Sequence, residues 1–160
     1  MSTAKQKEVL REELVLIHPD ADCAETVLRT MADVLYKDGA VKASYYDAML
    51  AREKLYPTGL PTELIKVALP HADVEHVNYS ALAVAILAHP VHFCEMGTAD
   101  QMLDVEIILM LANADPAEQV QTLRRLVEMF DEPASLVALR DAQTPAEVVS
   151  LLRSGYGSRE

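Results

Sequence analysis

The chain has 160 residues, 51% of them hydrophobic and 24% charged, and its 25 Asp and Glu against 14 Lys and Arg leave a formal net charge of −11. That length suits one domain able to bury its own core, and the composition excludes disordered, collagen-like and disulfide-dense classes. So acidic a surface repels phosphate backbones and anionic lipid, which disfavours nucleic acid and membrane surfaces as partners, and it steers basic protein partners inward.

The longest apolar runs, 81–88 and 107–112, fall far short of the ~18–20 residues a spanning helix needs. Two cysteines, Cys23 and Cys94, with no CxxC spacing, suit a reducing compartment. The first eleven residues are polar and charged and lack the apolar stretch of a secretory signal, so a cytoplasmic location is expected. The expected organisation is a single domain over 1–160, with loose tails over about 1–9 and 154–160.

In chain order, residues 14–17 form a short apolar run that reads as a strand or a buried turn. Asp20 or Asp22 can cap a helix reaching about Lys37. Its positions Ala24, Val27, Leu28, Met31, Val34 and Leu35 share one face, and Asp38-Gly39 ends it. Ser44 can cap a second helix to about Leu55, stopped by Pro57-Thr58-Gly59. Residues 64–69, ended by Pro70, 79–87, ended by His89-Pro90, and 104–111 read as strands apolar on both faces, as in a sheet covered by helices.

Asp115 and Pro116 start a helix whose core stripe is Val120, Leu123, Leu126, Val127 and Phe130. Pro133 opens a short helix to about Arg140. Thr144 and Glu147 have capping-box spacing for a last helix ending near 154–157. The predicted fold class is α/β: one domain with a central mixed sheet and helices on both faces.

The sequence has no GxxxxGK[ST] and no GxGxxG to cradle a nucleotide, and no HExxH, GxSxG or CxxC. What it has is an apolar strand that stops at Pro70-His71. Proline fixes its own φ and cannot donate to the ladder, so His71 is delivered on stiff backbone at the mouth of a sheet. An imidazole neutral at pH 7 can attack phosphorus without a separate base. Arg52, at the end of the second helix, offers a planar fork to phosphoryl oxygens, and Thr58 a hydroxyl or backbone donor.

Taken singly, His71 would more often be a partly buried structural histidine. Arg52 would be a cation at a helix C-terminus, and Thr58 a turn residue. His89, His92 and Cys94 lie close enough to suggest a metal site, but no second cluster completes a four-ligand set. No metal and no cofactor is expected. His76 reads as a structural hydrogen-bonding residue bordering the site, and His18 as a loop residue.

The ordered set Ala51-Arg52-Glu53, Pro57-Thr58-Gly59, Pro70-His71, His76 and Val91-His92-Phe93 resembles the enzyme IIA family of the sugar phosphotransferase system, fructose/mannitol superfamily, and most of all its free-standing galactitol type. The resemblance spans nearly the whole chain. It implies that His71 is the phosphorylated nucleophile and that Arg52 stabilises the phosphoryl charge. It implies HPr as phosphoryl donor, a cognate enzyme IIB working with enzyme IIC as acceptor, and no sugar contact by this chain.

Two departures from the family pattern stand out. Leu64 occupies a position where many members have Gly or Ala. Gln119 occupies the position of a second active-site histidine in mannitol-type members, which galactitol-type members also lack; a glutamine there can only hydrogen-bond a phosphoryl oxygen. An alternative reading keeps the fold and His71 but makes its phosphorylation state a regulatory signal to a partner.

Overall fold

The computed structural model describes residues 8–157, with side chains described as far as Ser154. Its elements are β1 (Val15–Ile17), α1 (Ala24–Asp38), α2 (Tyr45–Leu55), β2 (Gly59–Leu60), β3 (Lys66–Ala68), β4 (Ala81–Cys94), β5 (Met102–Ala112), α3 (Pro116–Met129), α4 (Pro133–Arg140) and α5 (Pro145–Gly157). The strands form one mixed sheet in the order β1-β4-β5-β3-β2. β4 with β5 and β2 with β3 are antiparallel; β1 with β4 and β3 with β5 are parallel.

The sheet divides the core into two halves, and strand alternation decides which residue enters which. On β4, Ala81, Ala83, Ala85 and Leu87 face the half built on α1 and α2. Leu82, Val84 and Ile86 face the half filled by Leu126, Met129 and Phe130 near α3, Leu136 and Leu139 of α4, and Val148 and Leu152 of α5. The alanines leave room for α1, whose Val27, Leu28, Met31 and Leu35 fill the first half. Burial on both sides explains why 81–87 is uninterruptedly apolar.

Several boundaries carry the chemistry the sequence signals. Gly39 closes α1 in the left-handed region at φ 95°. Asp115 caps α3, its carboxylate accepting from Ala117 N–H at 2.9 Å, with Pro116 at the first helical position. Thr144 Oγ accepts from Glu147 N–H at 3.2 Å, but the Glu147 carboxylate reaches back to Gln143 N–H at 3.1 Å. This is a capping box displaced by one residue on its return arm.

Other expectations are corrected. α1 begins after Cys23 and has no side-chain cap; Asp22 instead accepts from Thr26 Oγ at 3.2 Å. Ser44 precedes α2 but its backbone is already helical, which turns its hydroxyl away from the first amides and onto His76 Nδ1 at 2.8 Å. β3 is only three residues long, because Leu64 sits at φ 67° in a turn, and β2 pairs beside it.

β4 does not stop at His89-Pro90. β1 pairs only with Val84 to Ile86, so beyond that point β4 has a free edge, and Pro90 falls in the irregular stretch between Ile86 and Val91. On α3 the buried stripe is Thr122, Leu126 and Met129, while Val120 and Val127 are 57% and 41% exposed. Of the predicted stripe, Leu126 and Phe130 are buried and Leu123 packs partly buried against them. Of the segments expected to be loose, residues 1–7 and 158–160 lie outside the described residues. Val9 accepts from Leu82 N–H at 3.1 Å, and α5 continues through Gly157.

Candidate functional site

His71 leaves the sheet at the carboxyl end of β3. Pro70 cannot donate, but its carbonyl accepts from Leu111 N–H at 3.0 Å, and His71 itself bridges to Leu111 of β5. The backbone on the carboxyl side of the proline is thus held to β5. The side chain is 7% exposed. Its Nδ1 lies 2.8 Å from the carbonyl of Leu69.

A carbonyl oxygen only accepts, so the proton of the neutral ring sits on Nδ1 and the lone pair on Nε2. Burial lowers the basicity of the ring below the usual histidine range; the Leu69 carbonyl opposes this, the Arg52 charge adds to it, and Asp73 opposes it. The net effect keeps the imidazole neutral and nucleophilic near pH 7.

Arg52 comes from the last turn of α2, where a cation is favoured. Its guanidinium meets Asp73 at 3.5 Å and stands 5.5 Å above the Tyr56 ring. Its Nε is buried without a hydrogen-bond partner. One contact to Asp73 at that distance leaves most of the five donors of the fork free for an anion.

Thr58 is buried beneath the histidine strand. Its N–H and Oγ–H donate to the two oxygens of Glu53 at 2.9 and 2.8 Å, and its Oγ accepts from Leu69 N–H at 3.1 Å. Burial pushes the Glu53 carboxyl up to about 7, against the opposing pull of the Thr58 donors and Arg52. Next in sequence, Gly59 passes close to the end of β4: a Cβ there would lie 2.6 Å from the Cys94 carbonyl.

Gln119 is half-buried in the first turn of α3, its N–H bonded to the Asp115 carbonyl at 3.0 Å and its Oε1 buried with no partner. No hydrogen bond joins it to His71 among the described residues. Asn113, at the end of β5, is buried, donates to Glu118 at 3.1 Å and likewise leaves Oδ1 unpaired.

The remaining histidines and cysteines lie elsewhere. His76 pairs with Ser44, and His18 takes a left-handed turn at φ 52°. His92 Nε2 lies 3.0 Å from the Asp104 carboxylate on the surface, and Cys94 packs its sulfur against Thr98. Cys23 is exposed at the start of α1. Among the described residues no group of three or more His, Cys, Asp or Glu is placed to hold a metal.

The structure therefore brings His71, Arg52 and Thr58 into one neighbourhood and leaves Gln119 unbonded to it. Sequence reasoning gave no role to Glu53, Asp73 or Tyr45. Tyr45 sends its hydroxyl to the Leu111 carbonyl across from His71. The signal available for Glu53 was its position: a carboxylate at the end of a helix, five residues before a threonine in a Pro-Thr-Gly turn.

Fold and site are those of a single-domain α/β protein with one pinned, largely buried imidazole at the carboxyl end of an inner strand. Residues 8–155 match the family described as "Phosphoenolpyruvate-dependent sugar phosphotransferase system, EIIA 2", and the chain belongs to that family. It is thereby a phosphotransferase component of the phosphohistidine relay.

The galactitol-specific EIIA component of Escherichia coli (strain K12) is 28% identical over 120 residues, 73% of this chain and 79% of that protein. The crystal structure of IIA mannitol from Escherichia coli is 27% identical with a TM-score of 0.74, covering 89% of this chain and 98% of that one. The same family fold appears in the complex of mannitol enzyme IIA with phosphorylated enzyme IIB from Escherichia coli, at 25% identity and a TM-score of 0.72, covering 89% of this chain and 95% of that one. No helix of the described residues is long and apolar enough to cross a membrane.

Proposed function

We propose that His71 Nε2 accepts a phosphoryl group from the phosphohistidine of HPr and passes it to a cysteine of a cognate enzyme IIB, which with enzyme IIC phosphorylates a galactitol-like sugar. The observation that carries this reading is the 2.8 Å contact of Nδ1 with the Leu69 carbonyl. It fixes the tautomer and leaves the lone pair on Nε2.

Transfer is in line. The Nε2 lone pair forms the new N–P bond as the donor's P–N bond breaks, and the bonding electrons return to the donor ring. The Nδ1 proton stays in place. The ring becomes a phosphoimidazolium whose positive charge faces the Leu69 carbonyl, and the phosphoryl oxygens face Arg52. Such a loose transition state needs positioning and charge stabilisation more than covalent help, and phosphohistidine is already a good leaving group. Arg52 leaves its weak contact with Asp73 for the phosphoryl. Thr58 supports the strand, and Gln119 offers an amide to a phosphoryl oxygen.

The galactitol assignment rests on the 28% identity to the galactitol-specific component. The test is intact mass after incubation with phosphoenolpyruvate, enzyme I and HPr. One acid-labile, base-stable phosphoryl group, absent in His71→Ala, is expected; normal loading of His71→Ala would overturn the site. Failure of any enzyme IIB to discharge the loaded protein moves the reading to a regulatory phosphoprotein.

A further inference from the structure

We infer that Glu53 is a positioning residue for His71, acting through Thr58 and the backbone of Leu69. The inference rests on the reading of His71 as the phosphoryl acceptor. Three hydrogen-bonded steps make the link. Glu53 grips Thr58 at both N–H and Oγ–H, at 2.9 and 2.8 Å. Thr58 Oγ accepts the Leu69 N–H at 3.1 Å, and the Leu69 carbonyl accepts the His71 Nδ1–H at 2.8 Å.

The direction of each step is determined by chemistry. An amide N–H only donates, so Thr58 Oγ uses a lone pair on Leu69. Its single proton is then free for Glu53, which needs a carboxylate acceptor there. The same carboxylate takes the Thr58 N–H with its other oxygen. A bidentate grip fixes both the rotamer and the backbone of Thr58, where a single bond would leave one of them free.

The link matters because β3 lacks help at this point. Pro70 has no N–H, so Leu69 is the last residue before His71 whose N–H can be tied down. Its tie is a side chain rather than a neighbouring strand. The Leu69 carbonyl belongs to the next peptide unit, so its aim follows the placement of Leu69 as a whole. Any looseness in Thr58 is passed to the acceptor that sets the His71 tautomer. A ring released from that carbonyl can move its proton to Nε2 and lose its nucleophilic lone pair.

The experiment compares wild type, Glu53→Gln and Thr58→Val, each near-isosteric, and the double variant. Two quantities are read: the His71 tautomer from imidazole nitrogen chemical shifts in the unphosphorylated protein, and the rate and KM of phosphoryl acceptance from phospho-HPr. Both single variants should keep a native thermal transition, show a new Nε2–H population and load roughly 10-fold more slowly with unchanged KM, the scale expected of a small misplacement. The double variant should be no worse than the more affected single variant, because both break one chain.

An unchanged tautomer and rate in Glu53→Gln overturns the inference. So does additivity of the two rate losses. If Glu53→Gln is not folded, Thr58→Val carries the same test alone. A wild type that never loads overturns the underlying reading instead, and in that case the tautomer spectra still decide whether Glu53 sets the His71 proton.

Discussion

The Tyr45 hydroxyl donates to the backbone carbonyl of Leu111, the residue that bridges to His71 from β5. Tyr45 is fully buried, and burial holds its phenol far above the ordinary range, so it remains a donor at any working pH. The first residue of α2 is thereby fastened to the strand end that carries the site.

Replacing Tyr45 by Phe keeps the ring and removes one of the hydrogen bonds to the Leu111 carbonyl, which the parallel bridge to His71 still engages. Losing such a bond costs about 0.5–1.5 kcal/mol. Tyr45→Phe should therefore lower the free energy of unfolding by that amount, read from denaturant titration, with no change in the slope of the transition. An unaltered midpoint would show that the Leu111 carbonyl has no need of this donor.

Arg52 is expected to govern rate rather than fold. Removing one charged donor from a transferring phosphoryl group typically costs ~100-fold in rate. Arg52→Ala should keep its thermal transition and load with phosphoryl roughly 100-fold more slowly. Arg52→Lys should restore only part of the loss, since an ammonium cannot match two oxygens at once. Full activity in Arg52→Ala would remove Arg52 from the transfer step.

The two buried titratable groups make stability vary with pH in opposite senses. His71 is less basic in the folded chain, so the unfolded chain takes up its proton first. Its contribution is complete above the ordinary histidine value of ~6.5 and is lost as pH falls below it. Glu53 goes from an ordinary 4.5 to about 7. Its contribution is complete below 4.5 and is lost as pH rises through about 7. Glu53→Gln should flatten the alkaline side of the stability profile, and His71→Gln the acid side. Denaturant midpoints between about pH 4 and pH 8 read both. Profiles parallel to wild type would dismiss these groups as the source.

Gly59 tests the fit of β2 against the end of β4. The Cβ of Gly59→Ala would meet the Cys94 carbonyl at 2.6 Å, and a backbone oxygen cannot step aside as a side chain can. The strand must move, at a cost of about 1–3 kcal/mol. The same substitution should disturb the neighbouring Thr58 and slow loading of His71. A native midpoint in Gly59→Ala would mean that β2 yields freely there.

Much of this was legible in the chain, and the reasons are local. Pro116 after Asp115, Gly39 after Asp38 and Pro133 each mark a boundary through their own backbone chemistry. The continuous apolar run of β4 announced a sheet covered on both faces. Pro70-His71 and Arg52 were visible as chemistry, and the structure puts them together.

What escaped depends on partners distant in sequence. Pro90 is tolerated because β1 is too short to reach it. Val120 is exposed because none of the described elements covers that side of α3. Glu53 stands in a recognised motif, Ala51-Arg52-Glu53, but its part shows only when Thr58 closes over it. Leu64 was noticed as a departure from a small residue, and the reason is now plain: its φ of 67° is backbone that glycine adopts without strain.

The Leu69 carbonyl that covers Nδ1 also dictates regiochemistry for any electrophile that reaches His71. Alkylating and acylating reagents, like a phosphoryl donor, are confined to the nitrogen remote from the backbone. Each should leave a single isomer of substituted imidazole, where a free histidine gives a mixture. Peptide mapping of the trapped product would thus display the orientation of the ring without any partner protein.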